Sequence, residues 1–256
     1  MGGIANSVQS GGVALELKGV RRVFDHDLVV IEALDLHVEA GEFLAILGPS
    51  GCGKSTLLRI IARLSEPDAG SITFDPDTER FQTAFVFQDA HLLPWRTVFD
   101  NAALPLELMG IGREQRYQRT HATLQQVSLI EAEDRYPAQL SGGMRMRVSL
   151  ARALATEPRM LLLDEPFAAL DEITRFRLDN QLRELWRQRG MTVIFVTHSI
   201  SEAAFLASRA VVLARRGGKI KLDRRLDLPM ERNDDLRADP RLGREMKILL
   251  EAMEEE

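Results

Sequence analysis

A glycine-rich segment at positions 48–56 constrains the fold of this chain more than any other feature. It reads Gly-Pro-Ser-Gly-Cys-Gly-Lys-Ser-Thr and matches the spacing G-x-x-x-x-G-K-[ST] of a phosphate-binding loop. A short apolar run over 43–47 comes directly before it, and a helix is predicted over 54–64 after it. A buried strand, a glycine loop and a helix in this order are typical of a nucleotide-binding α/β domain with a mostly parallel sheet.

Each residue type in this loop has a physical role in holding a nucleotide. The glycines let backbone N–H groups turn inward around the phosphates, and the following helix presents its positive dipole end to the anion. Lys54 neutralises β- and γ-phosphate charge, and the hydroxyl of Ser55 can ligate Mg²⁺. The predicted cofactor-binding residues of the loop are Gly48, Pro49, Ser50, Gly51, Cys52, Gly53, Lys54, Ser55 and Thr56.

Cys52 lies inside this loop, and two interpretations of it stay open. It is either a small filler residue or a thiol whose pKa is lowered by Lys54 and the helix N-terminus. As the single cysteine of the chain, it excludes an internal disulfide and fits a reducing compartment.

Two carboxylates, Asp164 and Glu165, follow the apolar run 160–163. Because unpaired charge at a buried strand end is costly, a partner such as Mg²⁺ is expected there. Asp164 is the predicted metal ligand, directly or through water, and Glu165 is the predicted general base that polarises the attacking water. The alternative is a solvated strand end that caps a helix, and the phosphate loop upstream favours the metal and base roles.

Polar residues also follow two other predicted strands. Gln88 comes after the run 83–87, and His198 comes after 192–197. Because ligands bind at the carboxyl ends of the strands in open α/β sheets, both side chains could reach the γ-phosphate region. A lone glutamine or histidine is more often an ordinary surface residue, and placement alone does not overturn that interpretation.

Alternating strand and helix patterns predict a parallel sheet covered on both faces. Residues 13–20 and part of 28–38 alternate apolar and polar, as half-buried edge strands do. No strand pattern occurs over 89–157, which is therefore interpreted as a helical insertion. Within it, Pro105 and Gly110 predict two or three short helices rather than a single long helix.

Composition excludes several classes of protein. The chain has 256 residues, of which 45% are hydrophobic, enough for a buried core. The net charge of −5 argues against a nucleic-acid partner, which usually leaves a basic footprint. No apolar run approaches the about 18 residues of a membrane span, and the N-terminal residues do not look like a signal peptide. We expect a cytoplasmic protein that can still dock on a membrane protein.

Together these residues resemble the ATP-binding cassette family, in particular the ATPase subunits of membrane transporters, over most of the chain from about Leu15 to Leu222. The motifs stand in family order: Walker A at 48–56, the Q-loop at Gln88, the signature motif at 140–143, Walker B at 160–165, the D-loop at 169–171 and the switch histidine at His198. Met144 and Ala169 depart from the common pattern without removing a group assigned to chemistry.

The resemblance implies a P-loop NTPase core with a mostly parallel sheet, an N-terminal antiparallel β subdomain and an inserted helical subdomain. The implied organisation is a disordered N-terminus over 1–12, a RecA-like core with the β subdomain over 13–88 and 158–225, the helical subdomain over 89–157, and a C-terminal helical extension over 226–256. That extension is expected to be a solvated helix, or else to contact or regulate a partner ATPase.

The resemblance also implies a head-to-tail dimer of two copies of the chain. ATP bound on Lys54 of one copy would be covered by Ser141, Gly142 and Gly143 of the other. Further roles implied by the family are catalysis by Glu165, His198 and Gln88, Mg²⁺ binding by Ser55, Gln88 and Asp164, adenine stacking by Phe24, and a contribution to the nucleotide site by Asp171.

Two segments are similar to the nitrate/sulfonate/taurine branch of importers. They are 92–101, which contains Leu92, Leu93 and Trp95, and 164–171. This similarity implies an ATP-hydrolysing subunit on the inner face of the cell membrane, two permease subunits and an external solute-binding protein. The apolar residues after Gln88 would receive the permease or would form a local core under a loop. The solute cannot be read from these residues.

Other functions fit less well. A soluble, non-transport cassette ATPase of DNA repair would need coiled coils or a basic DNA surface, and neither is evident. A tandem-cassette translation factor would carry two phosphate loops, and this chain has one. A P-loop kinase or GTPase would leave the segment 140–143 unexplained.

Overall fold

The computed structural model describes residues 11–24, 28–76, 82–168 and 170–254. The strands are β1 (Ala14–Phe24), β2 (Leu28–Val38), β3 (Phe43–Leu47), β4 (Ala69–Asp75), β5 (Thr83–Val86), β6 (Met160–Asp164), β7 (Thr192–Val196), β8 (Arg209–Leu213) and β9 (Ile220–Arg225). The helices are α1 (Lys54–Ile61), α2 (Val98–Leu108), α3 (Arg113–Gln126), α4 (Gly142–Ala155), α5 (Glu172–Arg189), α6 (Ile200–Leu206) and α7 (Pro240–Glu254).

The central sheet has the strand order β5-β6-β7-β3-β8-β9, and only β9 runs antiparallel to its neighbour. Every residue of β3, β6 and β7 is buried. Continuous apolar runs form strands of this kind because helices cover both faces of a parallel sheet. The predicted α/β fold with a mostly parallel sheet is confirmed.

A second sheet, of order β2-β1-β4, is antiparallel throughout. Its inner face packs with α1 and with β3 in a shared apolar core. The alternation over 13–20 predicted β1 correctly, but β4 was not predicted. Only Phe74 of β4 is fully buried, so this edge strand lacks the apolar alternation that would distinguish it.

Helices α2, α3 and α4 form the segment between β5 and β6, and no described residue of that segment lies in a strand. Gly110 stands after the end of α2 with φ of 72°, as expected of a residue that ends a helix. The prediction of two or three short helices is confirmed by α2 and α3, but only Gly110 separates them, because α2 continues through Pro105. Buried contacts of Ala102 and Leu106 on either side offset the single backbone hydrogen bond that a proline removes.

The C-terminal residues pack on the core rather than forming only a solvated helix. Leu236, Leu242 and Leu249 are buried and belong to the same apolar cluster as α6 and β8. Glu245 of α7, 3% exposed, accepts two hydrogen bonds from Arg224 of β9, at 2.7 and 2.9 Å. The N-terminus was predicted to be disordered over 1–12, and residues 1–10 of it lie outside the described residues. Gly11 and Gly12 are described, and their carbonyl oxygens accept hydrogen bonds from Arg159.

None of the helices formed by the described residues is long and apolar enough to cross a membrane.

A buried ion pair joins the C-terminal segment to α5. Arg237 donates to Asp179 Oδ2 at 3.2 Å, while Asp179 Oδ1 has no hydrogen-bond partner among the described residues. Burial, and next the nearby carboxylate of Glu202, raise the pKa of Asp179 to about 7, although Arg237 and Arg175 oppose this. The pair therefore does not fully offset the cost of burying the carboxylate.

The raised pKa of Asp179 makes stability depend on pH. Since the folded state holds this proton more tightly than the unfolded state, the contribution of Asp179 to stability is lost as the pH rises through about 7. Between about pH 4, the ordinary pKa of the carboxyl, and about pH 7, the Tm of Asp179→Asn is therefore expected to fall by about 5 °C less than the Tm of wild type. Thermal unfolding followed by circular dichroism measures this. Parallel Tm curves for the two proteins would contradict it.

Candidate nucleotide-binding site

Five of the predicted site residues come together because parallel strands end at the same edge of the central sheet: Lys54, Ser55, Asp164, Glu165 and His198. In the register of the sheet, Ile46 of β3 pairs with Val196 of β7, and Val196 pairs with Asp164 of β6. Val86 of β5 lies beside Leu163, the residue before Asp164. The residues that follow these strands are thereby brought to the edge where ligands bind in α/β folds.

The phosphate-binding loop turns sharply between β3 and α1, and two of its glycines are required by geometry. Gly53, the N-cap of α1, has φ of 101°, and a Cβ there would lie 3.0 Å from the side chain of Val30. Gly48 has φ of 155°, and a Cβ there would lie 2.7 Å from the sulfur of Cys52. Both positions lack room for a side chain and adopt conformations that L-residues avoid.

Lys54 is held at the centre of the loop. Its side chain is 5% exposed, and Nζ donates to the carbonyl oxygens of Gly48 at 2.7 Å and Pro49 at 3.0 Å. An ammonium group has three protons, so one donor remains for a phosphate oxygen.

Ser55 and Asp164 join the first turn of α1 to the end of β6. The Ser55 hydroxyl donates to Asp164 Oδ1 at 2.8 Å. Burial raises the pKa of Asp164, which the hydrogen bond from Ser55 opposes. A cation beside Asp164 would offset this cost, and a hydroxyl with a carboxylate is a hard oxygen pair that suits Mg²⁺. The donor set of the site therefore fits the predicted metal.

Glu165 leaves the sheet in a left-handed backbone conformation, with φ of 46°, and its N–H donates to the carbonyl of Val196. Strained residues of this type cluster at functional sites. Glu165 Oε2 lies 2.9 Å from Nδ1 of His198. An ionised carboxylate can only accept, so Nδ1 carries the proton of this bond. The structure thus pairs two of the three predicted catalytic residues.

Gln88 lies two residues after the end of β5 and is exposed. Shortly after it in the chain, the carbonyls of Ala90 and His91 accept hydrogen bonds from the Arg152 guanidinium of α4, at 2.8 and 2.9 Å. The chain around Gln88 is thereby tied to the helical segment. Among the described residues, no hydrogen bond joins Gln88 to Glu165 or His198, and the role of Gln88 stays a prediction.

Cys52 is the filler residue rather than the reactive thiol. Its side chain is 1% exposed, and burial raises the pKa of the thiol, while Lys54 opposes this only in part. The interpretation of a lowered pKa is therefore wrong, because desolvation outweighs the nearby charge.

Phe24 ends β1 and is 45% exposed. The guanidinium of Arg22 lies 5.0 Å from the ring centroid. An exposed aromatic ring offers a face on which a base could stack, and adenine stacking stays a prediction.

The segment 140–143 lies at the start of α4 and beside α5. Ser141 caps α4, where its hydroxyl accepts from the N–H of Met144 at 3.2 Å, and both Ser141 and Gly142 are exposed. A Cβ on Gly143 would lie 3.1 Å from Thr174 of α5, so this glycine permits close packing. Among the described residues, no hydrogen bond or ion pair joins 140–143 to 48–56.

Asp171 caps α5 and accepts from the N–H of Thr174 at 2.9 Å, and this backbone hydrogen bond lowers the pKa of Asp171. Its neighbour in the predicted D-loop, Ala169, lies outside the described residues. Asp171 is therefore a capping residue in the single chain, and its place in a nucleotide site stays a prediction.

Helix α6 and the buried residues beside it were not predicted from the sequence. Thr197 and Glu202 are 2% and 3% exposed, and the Thr197 hydroxyl donates to Glu202 Oε2. A helix of seven residues is too short for its periodicity to stand out. The pattern Ser199-x-x-Glu202 is typical of a helix N-terminus and would have predicted α6.

Comparisons with known proteins agree with this geometry. The profile of the ABC transporter family matches residues 31–168. An aliphatic sulfonates import ATP-binding protein of Pseudomonas putida is 44% identical over 224 residues, which cover 86% of this chain and 80% of the relative. A taurine import ATP-binding protein of Pseudomonas aeruginosa is 42% identical over 252 residues, which cover 93% of this chain and 92% of the relative.

Solved structures show the same similarity. The dimeric structure of a bacterial ABC transporter cassette aligns with a TM-score of 0.75 at 32% identity, covering 84% of this chain and all of that chain. A second dimeric structure of that cassette, in a post-hydrolysis state bound to ADP and phosphate, aligns with a TM-score of 0.74 at 32% identity and with the same coverage. The chain therefore belongs to the ABC transporter family and is one of its ATP-hydrolysing subunits.

Proposed function

We propose that this chain is the ATP-hydrolysing subunit of an importer and works as a head-to-tail dimer on the cytoplasmic face of the membrane. The observation that carries the proposal is the grouping of Lys54, Ser55, Asp164, Glu165 and His198 at one sheet edge. Among the described residues, no hydrogen bond or ion pair joins 140–143 to this group. Such a chain holds the phosphates and the base but leaves its second glycine segment for another copy. The relatives named for import favour this function over a non-transport ATPase.

The proposed mechanism starts with phosphate binding at the loop. Lys54 exchanges its bonds to the carbonyls of Gly48 and Pro49 for bonds to β- and γ-phosphate oxygens. Backbone N–H groups of the loop and the N-terminus of α1 complete the grip on the anion. Phosphoryl transfer needs mainly positioning and charge stabilisation, and this arrangement supplies both.

Glu165 is the proposed general base. Its carboxylate already accepts one hydrogen bond, from His198, and keeps the capacity to accept another from a water molecule. When Nδ1 of a neutral His198 donates to Glu165, Nε2 can only accept. His198 must therefore be protonated, or release Glu165, before its ring can donate to a γ-phosphate oxygen. This exchange would couple phosphate binding to the freedom of the base.

Ser55 and Asp164 are the proposed protein ligands of Mg²⁺, and Gln88 is a further candidate. When bound, Mg²⁺ would neutralise charge that develops on the phosphate oxygens. Magnesium usually takes one or two protein oxygens and keeps phosphates and waters as its other ligands. The hydroxyl–carboxylate pair at 2.8 Å needs only a small separation to serve in this way.

In the proposed dimer, Ser141, Gly142 and Gly143 of one copy cover the nucleotide held by the other. These residues offer a hydroxyl, close backbone approach and the N-terminus of α4, which together suit a γ-phosphate. The two solved structures reported above, which are two states of one cassette, are both dimeric. Residues 13–88 and 158–225 would form the ATP-binding core, 89–157 the helical subdomain and 226–256 the C-terminal extension.

The other proposed partners are two permease subunits and, indirectly, a solute-binding protein. A sulfonate such as taurine is the solute that the names of the two relatives support, and nitrate belongs to the same importer branch. Because the solute would meet other subunits, the chain itself does not select it. A thermal-shift screen of the matching solute-binding protein with taurine, alkanesulfonates and nitrate would identify the solute.

The permease is proposed to dock beside the segment that follows Gln88. Trp95 is 71% exposed at the tip of this segment. Its loop is rigid, because the fully buried amide of Asn101 bonds to Leu93, Arg96 and Thr97. An exposed aromatic side chain on a loop whose backbone is fixed is the kind of anchor that dominates binding energy at interfaces.

Trp95→Ala is expected to weaken permease binding while leaving ATP binding unchanged. Loss of a tryptophan anchor costs about 2 kcal/mol or more, which is a roughly 30-fold weaker complex. Co-purification of the permease with the chain, and ATP affinity of the isolated chain, measure the two effects. Leu64→Ala, which alters a residue 60% exposed after the end of α1, is the control. If wild type, Trp95→Ala and Leu64→Ala all co-purified equally well with the permease, the proposed docking surface would be wrong.

A further inference from the structure

Glu202 of α6 is a buried carboxylate that lies between the loops carrying His198 and Asp171. It is 3% exposed, and each of its two oxygens has a partner. Oε2 accepts a hydrogen bond from the hydroxyl of Thr197, whereas Oε1 forms an ion pair with Arg175, whose Nε lies 3.2 Å away without making a hydrogen bond. A buried charge of this kind is costly unless its partners are held in place, so the cluster has a fixed geometry.

On one side, Glu202 fixes the chain around His198. Thr197 immediately precedes His198 and is 2% exposed. Its hydroxyl donates to Glu202 and also accepts from the N–H of Ser199, at 3.0 Å. The residues on both sides of His198 are thereby tied to one hydroxyl, and Glu202 sets the orientation of that hydroxyl.

On the other side, Glu202 holds the chain that leads into α5. The Arg175 guanidinium, paired with Glu202 through Nε, donates from Nη2 to the carbonyl oxygen of Leu170, at 2.9 Å. Leu170 precedes Asp171, the N-cap of α5. The Glu202–Arg175 pair therefore links the His198 loop to the main chain at 170–171.

The helix that carries Glu202 is itself fixed. The carbonyls of Ala204 and Phe205 accept from Arg232, at 2.9 and 2.7 Å, and the carbonyl of Leu206 accepts from Arg183. These are the C-terminal carbonyls of α6, which have no partner within the helix. With its C-terminal end held by two guanidinium groups, α6 provides a rigid base for the Glu202 carboxylate.

We propose that Glu202 is a positioning residue that makes the His198 loop and the segment 170–171 move as a single unit. The inference rests on the proposed function, in which His198 meets the γ-phosphate and Gly143 meets a second copy. Leu170 lies beside Gly143, since a Cβ on that glycine would lie 3.5 Å from the Leu170 side chain. Closure of the dimer would then place His198 through Arg175, Glu202 and Thr197. Variants that break the contacts of Glu202 with Thr197 or Arg175 should therefore slow ATP hydrolysis without lowering the affinity of the phosphate-binding loop for ATP.

Glu202→Gln tests this, because glutamine keeps the size of the side chain and removes its charge. We expect kcat to fall about 10- to 100-fold, as small misplacements of reacting groups produce, with KM for ATP within about two-fold of wild type. Arg175→Met should lower kcat by a similar factor. The double variant should cost little more than either single variant, because both remove the same link.

The matched control is Glu245→Gln, which breaks an equally buried Glu–Arg pair between α7 and β9, away from the site. It should change Tm but leave kcat unchanged. Thr197→Val is the second variant if Glu202→Gln folds poorly, since it removes only the hydroxyl. Unchanged kcat in Glu202→Gln or Thr197→Val, or an equal loss in Glu245→Gln, would overturn the proposal. Absence of ATP hydrolysis in the wild type would instead overturn the proposed function.

Discussion

Glu165→Gln is expected to reduce ATP hydrolysis by on the order of 10²–10⁴-fold, the usual contribution of a general base. Glutamine cannot take a proton from water, but it fits the same space and can still accept from Nδ1 of His198, the bond now made at 2.9 Å. ATP affinity should stay close to wild type, because Lys54 and the loop are untouched. The uncleaved nucleotide should then hold two copies together.

Phosphate release and size-exclusion chromatography with and without ATP measure the two effects. Wild type should dimerise transiently with ATP, whereas Glu165→Gln should accumulate as a stable dimer. The matched control is Glu231→Gln, since Glu231 is a surface carboxylate paired with Arg187 and lies away from the site. Hydrolysis within a few-fold of wild type in Glu165→Gln would refute Glu165 as the base.

The local chemistry of the phosphate-binding loop could be predicted from sequence because it depends on neighbouring residues. The glycines at 48 and 53, Lys54 and Ser55 stand within one turn and its helix. The meeting of Asp164 with Ser55 was also predictable, since parallel strands place their carboxyl ends at one edge. In both cases a local pattern and a general rule of α/β sheets were sufficient.

The Glu202 cluster could not be predicted in the same way, because it is built from distant residues that look like surface charges in the sequence. Arg175 lies on α5, a helix with charged residues along its whole length, and nothing in its spacing marks this arginine as half-buried. The same holds for Arg237 and Asp179, which meet only after the C-terminal segment packs on α5. Burial of paired charges is a property of the tertiary structure.

Strand β4 was missed for a related reason, whereas helix α6 was missed although Ser199-x-x-Glu202 is a local signal for its start. β4 forms because β1 offers a free edge, with Leu17 paired to Ile72, and not because its own residues have a strong strand pattern. α6 forms because Ser199 caps it and its residues from Glu202 to Leu206 are buried. Tertiary contacts override weak local preference in short elements of this kind.

In the proposed dimer, each nucleotide site combines the phosphate-binding loop of one copy with residues 140–143 of the other. Two variants that are each inactive should therefore restore activity when they are mixed. Lys54→Ala removes the phosphate grip of a copy, and Gly142→Asp places a carboxylate where that copy would cover its partner's γ-phosphate. A Cβ on Gly142 meets only the tip of the Arg145 side chain, at 3.9 Å, so this variant should fold normally. Gly143 is unsuitable, because a Cβ there would lie 3.1 Å from Thr174.

Each variant alone should lose hydrolysis by on the order of 10²-fold or more, as sites do when a preorganised phosphate contact is removed. In a mixed dimer, the intact loop of the Gly142→Asp copy faces the intact 140–143 segment of the Lys54→Ala copy, which restores a single site. With Glu165→Gln added to both, only the mixture should form an ATP-dependent dimer, holding one ATP, measured by size-exclusion chromatography with radiolabelled nucleotide. Normal hydrolysis by Gly142→Asp alone, or no dimer in the mixture, would mean that the nucleotide site does not combine two copies of the chain.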